Sequence, residues 1–390
     1  MATNKIHALA HRVENLWDRV RFRAKRAAGL LGTPILLAYR GFQTPEGLWL
    51  RGRVIEDQGV ISAEHTESIL GNVWLSLKRY ETDEIRSARI VYSAGGISGE
   101  VLTDEEGYFD LTIEPPALSE ASPWLPVELI LTEAPHYTVR PLGAKAEIRI
   151  VSPKARFGVI SDIDDTIVKT GATNFLKHWR TVAANSAESR TAFPGVTHLY
   201  RRLAEGEAGP ETNPFFYVSS SPWNLFDLFE RFMVLHDIPL GPMLLKDFGL
   251  DATKWLTGGH DDHKLKMIER VMAAHPQLPF VLVGDSGQRD AVIYAEVARR
   301  YPGRILAVYI RDVTGGHLAE EADNGVSALK RAGVAVTVAP TLETAAAHAA
   351  EAGLVRSSVV GEVREAIEQR RREEGEENVS DDNQPANSEA

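Results

Sequence analysis

The 390-residue chain contains no cysteine. That excludes disulfides, thiolate metal sites and a cysteine nucleophile, and it fits a cytoplasmic protein. No stretch approaches the ~20 apolar residues of a membrane-spanning helix, and the N-terminus lacks the uninterrupted apolar core of a signal peptide. A long basic stripe is missing too. With a net charge of −11, no nucleic-acid partner is expected.

What is present divides the chain into regions. Residues 1–32 carry seven Lys/Arg against Glu14 and Asp18, whereas Gly361–Ala390 carry ten acids against four arginines. Within residues 1–34, positions 5–31 space Ile6, Leu9, Val13, Leu16, Trp17, Val20, Ala24, Ala27 and Leu31 as one face of an amphipathic helix. Such a basic helix either rests on anionic lipid, as a peripheral membrane contact, or packs against protein. Residues 35–152 hold short alternating runs separated by turns, including Leu48–Val54, Val73–Leu77 and Ile90–Tyr92, and a hairpin is expected over Gly99–Ile113. This spacing predicts an antiparallel β-sandwich domain, immunoglobulin-like or transthyretin-like. Over 153–358 strands alternate with helices, which signals a parallel α/β sheet. Residues 359–390 are charged and free of aromatics, and are expected to form a disordered tail.

The α/β region opens on Phe157–Thr166, an apolar run that ends in Asp162, Asp164, Asp165 and Thr166. Carboxylates gathered at the carboxyl end of a buried strand repel one another unless a divalent cation offsets them. A calcium loop would need Asp or Asn at the fifth position and Gly at the sixth, where this chain has Thr166 and Ile167. Phosphoryl transfer fits better: Asp162 as nucleophile, with Asp164 two residues on as general acid and base. Ser219 ends a second strand, Phe215–Ser221, with Ser220 a rival for its role. Asp285 and Asp290 follow the strand Phe280–Asp285, and Lys264 stands near a helix start, with Lys246 and Lys266 as rivals. Mg²⁺, which prefers hard oxygen ligands, would screen the nucleophile from a phosphate dianion, while Ser219 and Lys264 donate to its oxygens. Asp165 and Thr166 shape the loop. His260, Asp261, Asp262 and His263 read either as a second metal site or as a polar helix start, and Asn174–Ser189 as a helical insert.

The ordered set Asp162-x-Asp164-x-Thr166, Ser219, Lys264, Gly284-Asp285-x-x-x-x-Asp290 resembles the haloacid dehalogenase superfamily of phosphatases. Ser161–Ile167, Tyr217–Trp223 and His263-Lys264 resemble more narrowly the phosphatidate phosphatase catalytic domain of the yeast actin-patch type, related to lipins, over about 155–355. The resemblance implies a Rossmann-like fold, with Mg²⁺ on Asp162, the Asp164 carbonyl and Asp285, and Asp290 as a supporting acid. It also implies phosphatidate as the substrate, yielding diacylglycerol and phosphate. A soluble phosphate monoester, or a role as a membrane-surface or protein-binding module, are the alternatives.

Overall fold

The computed structural model describes residues 31–57, 84–115, 122–164, 166–167, 193–206, 209–246 and 260–382. The expected helix over 5–31, the run Val73–Leu77 and the insert Asn174–Ser189 lie outside them.

Eight strands make the first sheet: β1 (Thr33–Ala38), β2 (Gly41–Thr44), β3 (Gly47–Asp57), β4 (Arg89–Ala94), β5 (Ile97–Leu102), β6 (Tyr108–Ile113), β7 (Trp124–Glu133) and β8 (Leu142–Arg149). They form one hydrogen-bonded network, β1-β3-β2-β8-β7-β4-β5, with β6 on β3. All pairs are antiparallel except β2 with β8. Alternation drives the folding: Val127, Leu129 and Leu131 turn inward to meet Leu48, Leu50, Val54, Ile90, Phe109 and Ile148 in one apolar cluster. The hairpin expected over Gly99–Ile113 does not form. β5 pairs with β4 and β6 with β3. The turn between them is tied by Asp104, whose carboxylate accepts from the Glu106 and Tyr108 main-chain N–H groups at 2.9 Å. It redirects the chain instead of folding it back.

The second sheet is wholly parallel: β9 (Gly158–Asp162), β10 (Phe215–Pro222), β11 (Met243–Lys246), β12 (Phe280–Asp285), β13 (Ile305–Arg311) and β14 (Ala335–Ala339). Its order, β11-β10-β9-β12-β13-β14, reads 3-2-1-4-5-6 from its first strand, so direction of travel reverses between β9 and β12. Open sheets of this order bind ligands in the crevice at that reversal. Among the described residues the α-helices are α1 (Val196–Ala204), α2 (Phe226–Leu235), α3 (His260–Ala274), α4 (Asp290–Arg300), α5 (Glu320–Arg331), α6 (Glu343–Glu351) and α7 (Val359–Asp382). Residues of α1, α2, α6 and α7 share one apolar cluster with the sheet and those of α3 and α4 another, so both faces are covered.

Residues 359–382 of the expected disordered tail form a helix, and 383–390 lie outside the described residues. Val359, Val363 and Ile367, four residues apart, are buried as one stripe of α7 among Val196, Leu199 and Leu203. Arg202 adds a bidentate pair with Glu362 at 2.8 and 3.1 Å. Few apolar residues suffice because they share one face.

The two sheets also share cores. Tyr39 and Tyr108 belong to one cluster of the parallel sheet, Phe42 and Trp49 to the other. Arg40 donates to Glu230 at 2.8 Å, and Arg270 lies 4.0 Å above the Trp49 ring. Buried Arg149 donates to the carbonyls of Pro123, Ile150 and Glu211.

Candidate active site

Parallel register brings distant acids together. Asp162 of β9 lies beside Val218 of β10, and Ser161 beside Val283 of β12, so Asp162, Ser219 and Asp285 emerge from adjacent rungs at the carboxyl edge. Asp162, Asp285 and Asp290 are fully buried, and each offers a carboxylate oxygen within 4.8 Å of the others. Asp290, the first residue of α4, sits close because β12 has Gly284 there. A Cβ at that position would lie 2.8 Å from the Tyr294 hydroxyl and 2.9 Å from Asp290 Cβ.

Lys264 is the counter-charge. Its ammonium is buried between Asp162 Oδ1, at 2.8 Å, and Asp290 Oδ1, to which it donates. Burial alone would lower its pKa. The attraction of Asp162 and Asp290, with their hydrogen bonds, outweighs burial and raises it, so Lys264 stays charged. The rivals differ: Lys266 is exposed, and Lys246 is buried at the end of β11.

Asp162 is held above the ordinary carboxylate range by burial, against the pull of Lys264 and with repulsion from Asp290, Asp285 and Asp164. Asp285 is pushed up to about 7, again chiefly by burial and then by Asp290, while Lys264 and two main-chain donors pull the other way. Those donors are Gly287 N and Gln288 N, 2.6 and 2.9 Å from Asp285 Oδ1. Its Oδ2 is buried with no hydrogen-bond partner. A nest of hard oxygens that leaves Asp285 Oδ2 unsatisfied suits a divalent cation.

Ser219 is buried beside Asp164. Its hydroxyl donates to Asp164 Oδ2 at 2.6 Å and accepts from Ser221 N at 2.9 Å. It therefore orients Asp164. Ser221, for which the sequence predicts no role, adds a second donation to Asp164 Oδ2 at 3.0 Å. Positions 219 and 221 share a strand face by alternation, and that was the available signal. Ser220 points to the other face, half-buried, with no described hydrogen bond to the acids. Thr166 Oγ1 lies 3.5 Å from Asp162 Oδ2, at the outer limit of a hydrogen bond. Gln288, likewise without a predicted role, brings Nε2 within 3.4 Å of both Asp162 Oδ2 and the Asp164 carbonyl. His263 is half-buried, and the side chains of His260, Asp261, Asp262 and Asp165 lie outside the described residues.

Residues 157–312 match the family described as phosphatidate phosphatase APP1, catalytic domain. The phosphatidate phosphatase APP1 of Saccharomyces cerevisiae is 33% identical over 172 residues, which is 44% of this chain and 28% of that protein. An uncharacterized protein of Schizosaccharomyces pombe is 26% identical over 247 residues, 63% of this chain and 38% of the other. The chain thus spans about a third of the length of these curated relatives. A solved carbohydrate acetylesterase from Xanthomonas citri aligns over 80% of this chain and 69% of its own at 12% identity, with a TM-score of 0.28, too slight a likeness to inform the fold.

Proposed function

We propose, on the premise that residues 157–312 are a catalytic domain of the APP1 phosphatidate phosphatase type, that this chain hydrolyses a phosphate monoester through an aspartyl-phosphate, with phosphatidate as substrate. The observation that carries the reading is the buried Asp162–Asp285–Asp290 cluster with Lys264 set into it. The 3-2-1-4-5-6 strand order supports a haloacid dehalogenase-like scaffold, whose crevice would hold the scissile phosphate.

In this reading Asp162 forms a bond to phosphorus as the bond from phosphorus to the ester oxygen breaks. The leaving alkoxide takes a proton from Asp164, which the Ser219 and Ser221 hydroxyls hold in place. Asp164 then removes a proton from the water that attacks phosphorus, releasing inorganic phosphate and restoring the Asp162 carboxylate. Lys264 supplies a fixed positive charge beside the nucleophile, and Asp290 fixes Lys264. Magnesium held by Asp162, Asp285 and the Asp164 carbonyl would offset the repulsion between carboxylate and phosphate dianion. A lipid substrate calls for contact with a membrane surface, and the basic head of residues 5–31 has the composition for it. No described helix is long and apolar enough to cross a membrane.

Purified chain with Mg²⁺ should release phosphate from phosphatidate in mixed micelles, and Asp162→Asn should abolish release while the fold is kept. Turnover by Asp162→Asn would end the mechanism. Activity on soluble monoesters alone would leave the mechanism and remove the lipid.

A further inference from the structure

Gln288 touches every group proposed to hold the ion. Its main-chain N–H donates to Asp285 Oδ1 at 2.9 Å, and its side-chain nitrogen stands 3.4 Å from Asp162 Oδ2 and 3.4 Å from the Asp164 carbonyl oxygen. Those two oxygens are 126 and 124 positions away in sequence, so only the fold brings them to one amide. The Asp164 carbonyl can only accept, Asp162 Oδ2 is a carboxylate oxygen, and the amide N–H₂ is a double donor directed between them.

The contacts are slack. N–H···O bonds in proteins cluster near ~2.9–3.0 Å, so 3.4 Å marks an amide drawn toward two acceptors without being locked on either. The main chain of Gln288 is anchored on Asp285, whereas its side chain is only half-buried. The amide can therefore turn about its last torsion while the backbone stays fixed. Its oxygen and nitrogen are nearly the same size, so a half-turn exchanges donor for acceptor at little steric cost. A cation between Asp162 and Asp164 would repel N–H₂ and attract C=O.

We propose that Gln288 is a reversible stand-in for the cation: its N–H₂ satisfies Asp162 Oδ2 and the Asp164 carbonyl when no ion is bound, and it turns to offer its carbonyl oxygen when one is. This rests on the metal site proposed above and deepens it. The residue then does two jobs. It lowers the cost of the metal-free cluster, whose oxygens otherwise face one another, and it adds a neutral oxygen donor to the loaded site. Leucine at this position keeps the bulk and loses both functions. Glutamate keeps only the acceptor and adds a fourth negative charge.

The test uses the full chain, with thermal melting in EDTA and calorimetric titration with MgCl₂. In EDTA, Gln288→Leu and Gln288→Glu should both melt below the parent, because each lacks the N–H₂ donor. Gln288→Leu should bind Mg²⁺ about tenfold more weakly, the scale on which residues supporting a metal site act. Gln288→Glu should bind it more tightly, since affinity follows ligand charge. Variants that melt in EDTA at or above the parent temperature would overturn the stand-in role. Undiminished Mg²⁺ affinity in Gln288→Leu would overturn the carbonyl role. A parent chain that takes up no Mg²⁺ would remove the metal site itself along with Gln288's part in it, whereas Mg²⁺ binding by the parent with an indifferent Gln288→Leu removes Gln288 alone.

Discussion

Tyr39, the residue after β1, lies against Trp223, their ring centroids 4.6 Å apart and the planes inclined by 29°. Trp223 stands two residues after Ser221 and four after Ser219, the two hydroxyls on Asp164. Arg53 of β3 adds a hydrogen bond to Asn224 at 3.2 Å. The antiparallel sheet thus braces the turn that leaves the site. Tyr39→Ala should cost about 3–5 kcal/mol, the range for emptying a buried aromatic site, and should lower kcat more than it changes KM. Tyr39→Phe keeps the stacking and should restore both; urea unfolding and steady-state kinetics on the same preparations check this.

Lys264 faces two carboxylates with 2% of its side chain exposed. Removing one partner from a buried ionic cluster leaves the others uncompensated, at about 3–5 kcal/mol. Lys264→Met should therefore unfold at markedly lower denaturant than the parent in EDTA. An unchanged midpoint would show that Asp162 and Asp290 do not depend on it.

His275 gives the fold an acid-sensitive point away from the catalytic cluster. Its ring lies 5.2 Å from Phe216 and 6.4 Å from Phe42, where the two sheets meet. Burial, then Arg149 and Arg304, push its pKa down from 6.5 to about 4. The unfolded chain takes up a proton below pH 6.5 that the native ring refuses, so this contribution is full above that pH and is lost as pH falls toward 4. Complete loss amounts to about 3 kcal/mol. Stability measured by urea midpoint should fall over that window in the parent and fall less in His275→Leu.

Ile367 tests the docking of α7. It is 5% exposed within the stripe that covers α1, and Gly195 opposite leaves no room for a side chain, since a Cβ there would sit 2.8 Å from Val363 Cγ1. Ile367→Ala should cost about 2 kcal/mol or more. Loss of a small fraction of that value would mean that the helix contributes little to the core.

The residues most legible in the sequence were those whose position in an element fixes their direction. Asp162, Asp164 and Asp285 stand at ends of apolar strands, and Lys264 and Asp290 near helix starts, so a parallel sheet must converge them. Gln288 had no such marker: its meaning comes from reaching Asp164 across 124 positions. Ser221 stands next to Pro222, through which β10 continues, and only strand alternation with Ser219 marks it. In the helix Glu320–Arg331 two of the four buried residues, Ala322 and Gly325, are small, which weakens the apolar period carried by Val326 and Leu329. A Cβ on Gly325 would lie 2.7 Å from the Ala291 carbonyl, and Gly within a helix reads as a break. For β5 and β6 alternation was right and partnership wrong, since periodicity fixes faces but not neighbours.

The shared cores bear on how this chain can be recombined. A graft limited to the stretch that matches the family, 157–312, would leave behind Tyr39 and Phe42 and expose the flank they cover, where Phe216, Trp223 and Phe226 lie. It would also leave behind Val363 and Ile367. The boundary drawn by kinship is therefore narrower than the unit that can be moved intact, and a chimera should carry the chain from β1 through α7.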